Sequence, residues 1–253
     1  MSVTSIVYVG HATVLIEIDG TRILTDPLLR DRVGFLRRCK YQIKKEWFRS
    51  LDAVLISHKH RDHLDIPSLR RLNNSTRFIV PKNVEQTLKT EGLANVEGVE
   101  VDDCLNVGKV SVRITPARHR SRLSTLRLGS SPNPTGYLVK GSHQIYFAGD
   151  TDLFDEMIDL SKNLDVALLP VWGWGPTLGP GHLNPERAAE ALKLLRPTVA
   201  IPIHWGTFHP IGIGWLRLNY LVEPPYKFVY YAKKYAPEVE LRVIKPGEQT
   251  KLS

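Results

Sequence analysis

The stretch "LISHKHRDHLD" (55–65) brings His58, His60, Asp62 and His63 within six positions at the end of an apolar run. In an extended loop, side chains two apart face the same way, so His58 and His60 can grip one ion together. Asp62 and His63 follow as the chain turns toward a helix and can face a second ion nearby. Zinc takes imidazole nitrogen and carboxylate oxygen at about 2.0–2.2 Å and usually has four ligands. A polar surface loop is the plain alternative, but it gives no reason to gather three of the chain's nine histidines here. The stretch reads as a metal site.

Four clustered ligands cannot complete two such sites. Suitable partners stand at the ends of other expected strands: His119 in "TPARHRS", Asp150 in "FAGDTD" and His204 in "IPIHWGTF". Strand ends are where a rigid sheet presents groups to a common cleft.

On either side of this motif, short strands dominate the first half. "SIVYVG", "TVLIEID" and "TRILTDP" are β-rich with turn residues between them, and "LDAVLISH" suits a strand buried on both faces. "IPSLRRLNN" and "NVEQTLKTEG" read as helices, "RFIVP", "VEGVEVDD" and "VSVRITPARH" as strands. The second half repeats the rhythm. "PTGYLVK" and "HQIYFAGD" form a hairpin, "FDEMIDLSK" a helix, and "LDVALLPV" and "TVAIPIHW" buried strands. "NPERAAEALKLLRP" is a helix with Asn184 as N-cap and Pro185 in the first turn. "EPPYKFVYYAKKYAP" is helical, its tyrosines 226, 230, 231 and 235 expected in the core, and "VELRVIKPG" is expected to be the last strand. The predicted arrangement is α/β (α+β). It is one domain over 1–253, made of two β/α halves, about 1–120 and 121–253, that share a core.

A chain of 253 residues with 42% apolar and 24% charged residues has the composition of an ordinary globular protein. Its net charge of +8 is concentrated. Segment 30–49 carries eight cations against Asp31 and Glu46, a local +6 that attracts anionic substrates, acidic lipid or nucleic acid unless it is only a solvated face. Val33, Phe35, Leu36, Trp47 and Phe48 lie amid those cations and suggest an interfacial patch for peripheral membrane contact. Two cysteines, Cys39 and Cys104, imply no disulfide framework. The N-terminus lacks a signal-peptide pattern and no apolar run reaches the length of a span, which points to the cytoplasm.

H-x-H-x-D-H followed by a lone His, then "GD" and a late His, resembles the metallo-β-lactamase-fold hydrolase superfamily. "GHATVLIE", "LTDP", "YFAGDT", "GHLNPERAAEAL" and "IPIHWGTF" are similar to one branch of it. That branch holds N-acylphosphatidylethanolamine phospholipase D enzymes and ascorbate-6-phosphate lactonase-like proteins. The resemblance spans nearly the whole chain and implies a four-layer αββα sandwich. It also implies one zinc held by His58, His60 and His119, a second held by Asp62, His63 and His204, and Asp150 bridging both. Manganese or iron occupies related sites. Relatives with a redox di-iron pair carry Glu where this chain has His60, which argues for hydrolysis.

By the same resemblance Asp26 in "LTDP" orients a ligand imidazole, the alternative being a turn Asp before Pro. His11 and His182 match positions near the cleft, where they contact substrate or give a proton to the leaving group, unless they cap local backbone. With Asp62 they are the expected catalytic residues. A hydroxide bridging two divalent ions at neutral pH attacks an ester, lactone, amide or phosphodiester alike. The phosphate-bearing options are favoured by the basic segment, with a lactonase or another carboxylic ester or amide hydrolase as the alternative. The loop "VWGWGPTLGPG" (171–181) is either an aromatic wall over the cleft or a packed connection. From other classes, a nucleic-acid-binding protein has only the basic balance in its favour, and a non-catalytic metal sensor has only the intact ligand set.

Overall fold

The computed structural model describes residues 3–39, 41–119, 134–212 and 219–252. Lys40 and the expected division near 120/121 lie outside the described residues.

In the first half the strands are β1 (Thr4–Gly10), β2 (Thr13–Ile18), β3 (Thr21–Thr25), β4 (Arg32–Val33), β5 (Leu36–Arg38), β6 (Ala53–Leu55), β7 (Arg77–Pro81) and β8 (Val96–Val99). The helices there are α1 (Ile66–Leu69) and α2 (Lys82–Thr90). The rest of the chain supplies β9 (Cys104–Val107), β10 (Val110–Pro116), β11 (Thr135–Lys140), β12 (Gln144–Phe147), β13 (Val166–Pro170), β14 (Val199–Ile203), β15 (Phe208–Pro210), β16 (Glu240–Leu241) and β17 (Gln249–Leu252). Its helices are α3 (Pro185–Leu195) and α4 (Glu223–Tyr235).

Two seven-stranded sheets result, ordered β17-β1-β2-β3-β6-β7-β8 and β16-β14-β13-β12-β11-β10-β9. Each joins an antiparallel half to a parallel half. The parallel strands β6, β13 and β14 are buried at every residue, because neighbouring strands and both layers cover them. Alternation in β1 sorts the layers. Ile6 and Tyr8 join the core that also holds Val112, Tyr137 and Phe147 of the second sheet. Val7 and Val9 join the cluster that takes in Leu69, Val84 and Leu88 from α1 and α2. Ala188 and Leu192 of α3 and Phe228 and Ala232 of α4 cover the far side of the second sheet. This is the αββα sandwich. Asn184 Oδ1 accepts from the Arg187 amide at 2.8 Å and starts α3, a cap worth about 1 kcal/mol.

A third, three-stranded sheet, β15-β5-β4, projects segment 30–39 over one end of the sandwich. Gly34 adopts φ +56° in its two-residue hairpin turn, a conformation a β-branched residue would resist.

Several sequence expectations are corrected here. "FDEMIDLSK" forms a 3-10 helix over Asp155–Leu160 in place of an α-helix. "VELRVIKPG" pairs only at Glu240–Leu241, after which the Tyr8 backbone bonds to Gly247 and Glu248 and draws the chain onto the first sheet, where β17 pairs with β1. Tyr226 and Tyr230 are 54% and 69% exposed, because α4 turns Phe228 and Ala232 inward and these two tyrosines lie off that stripe. The expected interfacial patch dissolves likewise. Val33 and Leu36 pack on Leu28 and Phe208, and Trp47 and Phe48 enter the helix-side core. Phe35 alone of the five is exposed. No helix among the described residues is long and apolar enough to cross a membrane.

Candidate metal centre

The chain leaves buried β6 at Ile56 and Ser57 and opens into the loop that carries His58, His60, Asp62 and His63. Thr135 N donates to the Ser57 carbonyl at 3.0 Å and ties this loop to the second sheet. Gly149, φ +60°, immediately precedes Asp150 in "FAGD", and a Cβ there would meet Ser57 Cβ at 2.6 Å. Only glycine lets the two strand ends approach so closely, and Asp150 reaches the histidine loop as a result. His119 follows β10 and His204 follows β14.

Three site residues hold left-handed backbone without being glycine: His11 (φ 58°), Asp26 (φ 34°) and His204 (φ 64°). Each such residue costs about 1–3 kcal/mol, and such outliers gather at functional sites.

One donor group comprises His58, His60 and His119. His60 Nδ1 lies 2.9 Å from His58 Nε2 and 3.1 Å from His119 Nε2. A second comprises His11, Asp62, His63 and His204, with His63 Nε2 and His204 Nε2 3.2 Å apart. Asp150 stands between the groups. Its Oδ2 is 3.2 Å from His63 Nε2 and its Oδ1 is 3.3 Å from His204 Nε2.

The outer nitrogens settle the tautomers. His119 Nδ1 donates to the Gly181 carbonyl at 2.9 Å, and His204 Nδ1 to the Trp172 carbonyl at 2.7 Å. His63 Nδ1 donates to Asp26 Oδ2 at 2.7 Å. Ser57 Oγ donates to the same oxygen at 2.6 Å and accepts from His58 Nδ1 at 3.0 Å. With their outer protons so engaged, the inner nitrogens of neutral His58, His119 and His204 present lone pairs toward one another, toward His63 and toward two carboxylates. Lone pairs at such separations repel unless a cation lies among them. Buried Asp150 Oδ1 also lacks a hydrogen-bond partner among the described residues. The residues present therefore fit divalent metal held by imidazole and carboxylate.

The electrostatics agree. Burial alone would raise the Asp150 carboxyl, but facing His204 and His63 hold it well below the usual carboxylate range. Asp62 is likewise held low against burial by His63 and His11. Burial pushes the His204 imidazole down to about 3 and His58 well below its ordinary value. His63 moves the other way despite burial, drawn up by Asp150 and Asp62. A positive charge is favoured where it stands.

Asp26 is fully buried and accepts from the Ser57 amide at 2.7 Å as well as from His63 Nδ1 at 2.7 Å, which ties it to the histidine loop. His11 corrects an expectation. It is fully buried, its ring centroid 3.8 Å from that of His204 and its Nε2 3.1 Å from Asp62 Oδ2. The β1–β2 turn places it behind the carboxylate, in contact with Asp62 and without exposed surface. His182 lies at the mouth of the cleft. Its Nδ1 donates to the Gly179 carbonyl at 3.0 Å and its Nε2 is 3.5 Å from Asp150 Oδ2. His143 and His209 stay outside both groups.

The cleft over the centre has a volume of about 480 Å3. Its walls are Val33, Phe35 and Leu36 from the hairpin, and Trp174 and Leu178 from loop 171–181. Phe35 meets Trp174 edge-on at 5.1 Å. In that loop the Trp172 and Gly181 carbonyls anchor His204 and His119, while Trp174 faces the cleft. Sequence reading missed Ser57, whose one signal was a small polar residue just before the first histidine.

A family model described as a beta-lactamase superfamily domain matches residues 21–205. The chain belongs to the metallo-β-lactamase superfamily. Within the superfamily, a UPF0173 metal-dependent hydrolase from Methanopyrus kandleri is 31% identical over 248 residues, covering 96% of this chain and 97% of that one. An N-acyl-phosphatidylethanolamine-hydrolyzing phospholipase D from Caenorhabditis elegans is 30% identical over 247 residues, covering 86% of this chain and 66% of that one. An uncharacterized relative from Mycobacterium tuberculosis is 34% identical over 235 residues, and this chain spans 63% of its length. Igni18, a metallo hydrolase from Ignicoccus hospitalis, superposes with a TM-score of 0.75 at 25% identity, covering 100% of this chain and 99% of that one.

Proposed function

We propose that this superfamily member is a dinuclear zinc-dependent hydrolase of ester-type bonds, with a phosphodiester or phosphorylated small molecule as its substrate class. The observation that carries this reading is the set of inner imidazole nitrogens aimed at Asp150 and Asp62. His58, His60 and His119 would hold one ion, and His63, His204 and Asp62 the other, with Asp150 available to both. An imidazole-rich set with two carboxylates suits zinc, and manganese or iron by exchange. When bound, the ions supply Lewis acidity and water that ionises near neutral pH.

The chain's own residues do the rest. Asp26 and Ser57 hold the tautomers of His63 and His58. His11 steadies Asp62, which as an ion ligand keeps its place beside the reacting atoms. His182, beside Asp150 at the mouth, holds a proton at Nε2 for the leaving group. Phe35, Trp174 and Leu178 exclude water and receive an apolar substituent of the substrate. The phosphodiester assignment draws on the likeness to the nematode phospholipase. Both described cysteines are free, which suits the cytoplasm.

A lactone or other carboxylic ester is the second reading. Arg61 is the one cation among the described residues lining the cleft, so the walls serve a neutral ester equally well. Metal analysis joined to turnover of bis-p-nitrophenyl phosphate and a lactone panel tests both. Two ions per chain are expected, and His60→Ala and Asp150→Ala should lose both metal and turnover. Full activity in either variant would overturn the assignment.

A further inference from the structure

The larger cavity is not the metal cleft. A pocket of about 1020 Å3 opens on the other side of the β4–β5 hairpin and is lined by Arg30, Arg37, Arg38, Arg71 and His209. It shares no described lining residue with the cleft over the histidines. Nothing in the proposed chemistry uses these arginines, which arrive from three separate stretches of chain.

We propose that this pocket is a binding site for a phosphate group, separate from the metal centre and independent of how that centre is read. The guanidinium groups are held in place by protein contacts. Arg30 pairs with Asp65, which also caps α1 by accepting from Ser68 N. Arg71 bonds the Leu29 carbonyl. The Arg38 side chain, 1% exposed, bonds the Leu28 carbonyl and the Tyr41 hydroxyl and lies 4.6 Å from the Phe208 ring centroid. Among the described residues its one carboxylate neighbour is Asp31, 3.8 Å away and itself 89% exposed. Neutral acceptors thus satisfy its N–H groups and leave much of its charge uncompensated.

Arg37 is the free member. It makes no side-chain hydrogen bond or ion pair with the described residues, and it stands directly across the β4–β5 ladder from Arg32. Like charges opposite one another on a sheet destabilise it, and Arg32 itself lines a smaller neighbouring cavity with Asp31 and Arg37. Arg30, Arg37, Arg38 and Arg71 face Asp31 and Asp65, which leaves a net +2. A phosphate monoester carries about −1.5 to −2 at neutral pH, and planar guanidinium forks match its oxygens. The concavity admits a group that enters; a flat membrane face would not reach Arg38.

Isothermal titration of the metal-loaded protein with inorganic phosphate tests this, alongside sedimentation with phosphatidylcholine vesicles containing phosphatidic acid. Arg37→Ala should weaken phosphate binding by about tenfold or more without lowering the thermal midpoint. Arg37→Lys, which keeps the charge and loses the fork, should fall between. His60→Ala, which disables the metal centre, should bind phosphate at the pocket as before. Vesicle binding that needs Arg37, without binding of free phosphate, would assign the site to a lipid headgroup; binding of free phosphate assigns it to a soluble ligand. The proposal is overturned by phosphate binding that survives Arg37→Ala and vanishes in His60→Ala. No binding of either probe overturns it too, as does salt-sensitive binding of single-stranded RNA alone.

Discussion

His63 Nδ1 and Asp26 Oδ2 stand 2.7 Å apart, and neither side chain has any exposed surface. The pair fixes which nitrogen of His63 faces the ion site, and the same carboxylate also accepts from the Ser57 amide and hydroxyl. Replacing Asp26 with Asn keeps the shape but removes the anion. Metal affinity should drop about 10–100-fold, measured by competition with a chromophoric chelator. Unchanged affinity would reduce Asp26 to a turn residue.

His11 acts on the reaction through Asp62. His11→Ala should lower kcat and weaken retention of one of the two ions while leaving KM nearly unchanged. Steady-state kinetics with metal counting reads this split. A rise in KM alone would return His11 to contact with substrate.

Gly149 is the hinge on which Asp150 meets the histidine loop. Gly149→Ala forces a Cβ to within 2.6 Å of Ser57 Cβ at φ +60°. The strain alone should cost about 1–3 kcal/mol in urea unfolding, with metal lost in parallel. Full stability in this variant would mean that the strand ends can separate without penalty.

Acid should destabilise the metal-free protein in a definite window. His204 is pushed down to about 3 and His58 well below its ordinary value, so the native state keeps both neutral where the unfolded chain binds protons. Stability is present above about pH 6.5 and is lost as pH falls toward the folded values. Asp150 and Asp62, held low, add their loss only below the ordinary carboxylate range. His63, raised, runs the other way: its contribution is present below about pH 6.5 and is lost as pH rises above that value. His204→Asn should therefore flatten the stability curve in that window by about 1.4 kcal/mol per pH unit.

Phe35 is 58% exposed and closes the cleft against Trp174. Phe35→Ala should leave the unfolding midpoint within about 0.5 kcal/mol of wild type. KM should rise for substrates with an apolar substituent and stay put for those without one.

Local chemistry was legible along the chain. The spacing of His58, His60, Asp62 and His63 names a metal site because two-residue periodicity in a loop is a short-range fact. Asn184 and Pro185 mark the start of α3 for the same reason, and the apolar runs of β6, β13 and β14 declare buried strands before any partner is known. Burial of an individual side chain is different, since it depends on what another element lays against it. His11 went behind Asp62, Tyr230 went to solvent, and Trp47 and Phe48 left the basic surface for the core. β17 joined the first sheet because Tyr8 offered backbone groups to Gly247 and Glu248, more than 230 positions away. Composition and periodicity carry the types of groups and the local path of the backbone; only the packing of two sheets, which joins residues remote in sequence, decides which of those groups meet and which of them water can reach.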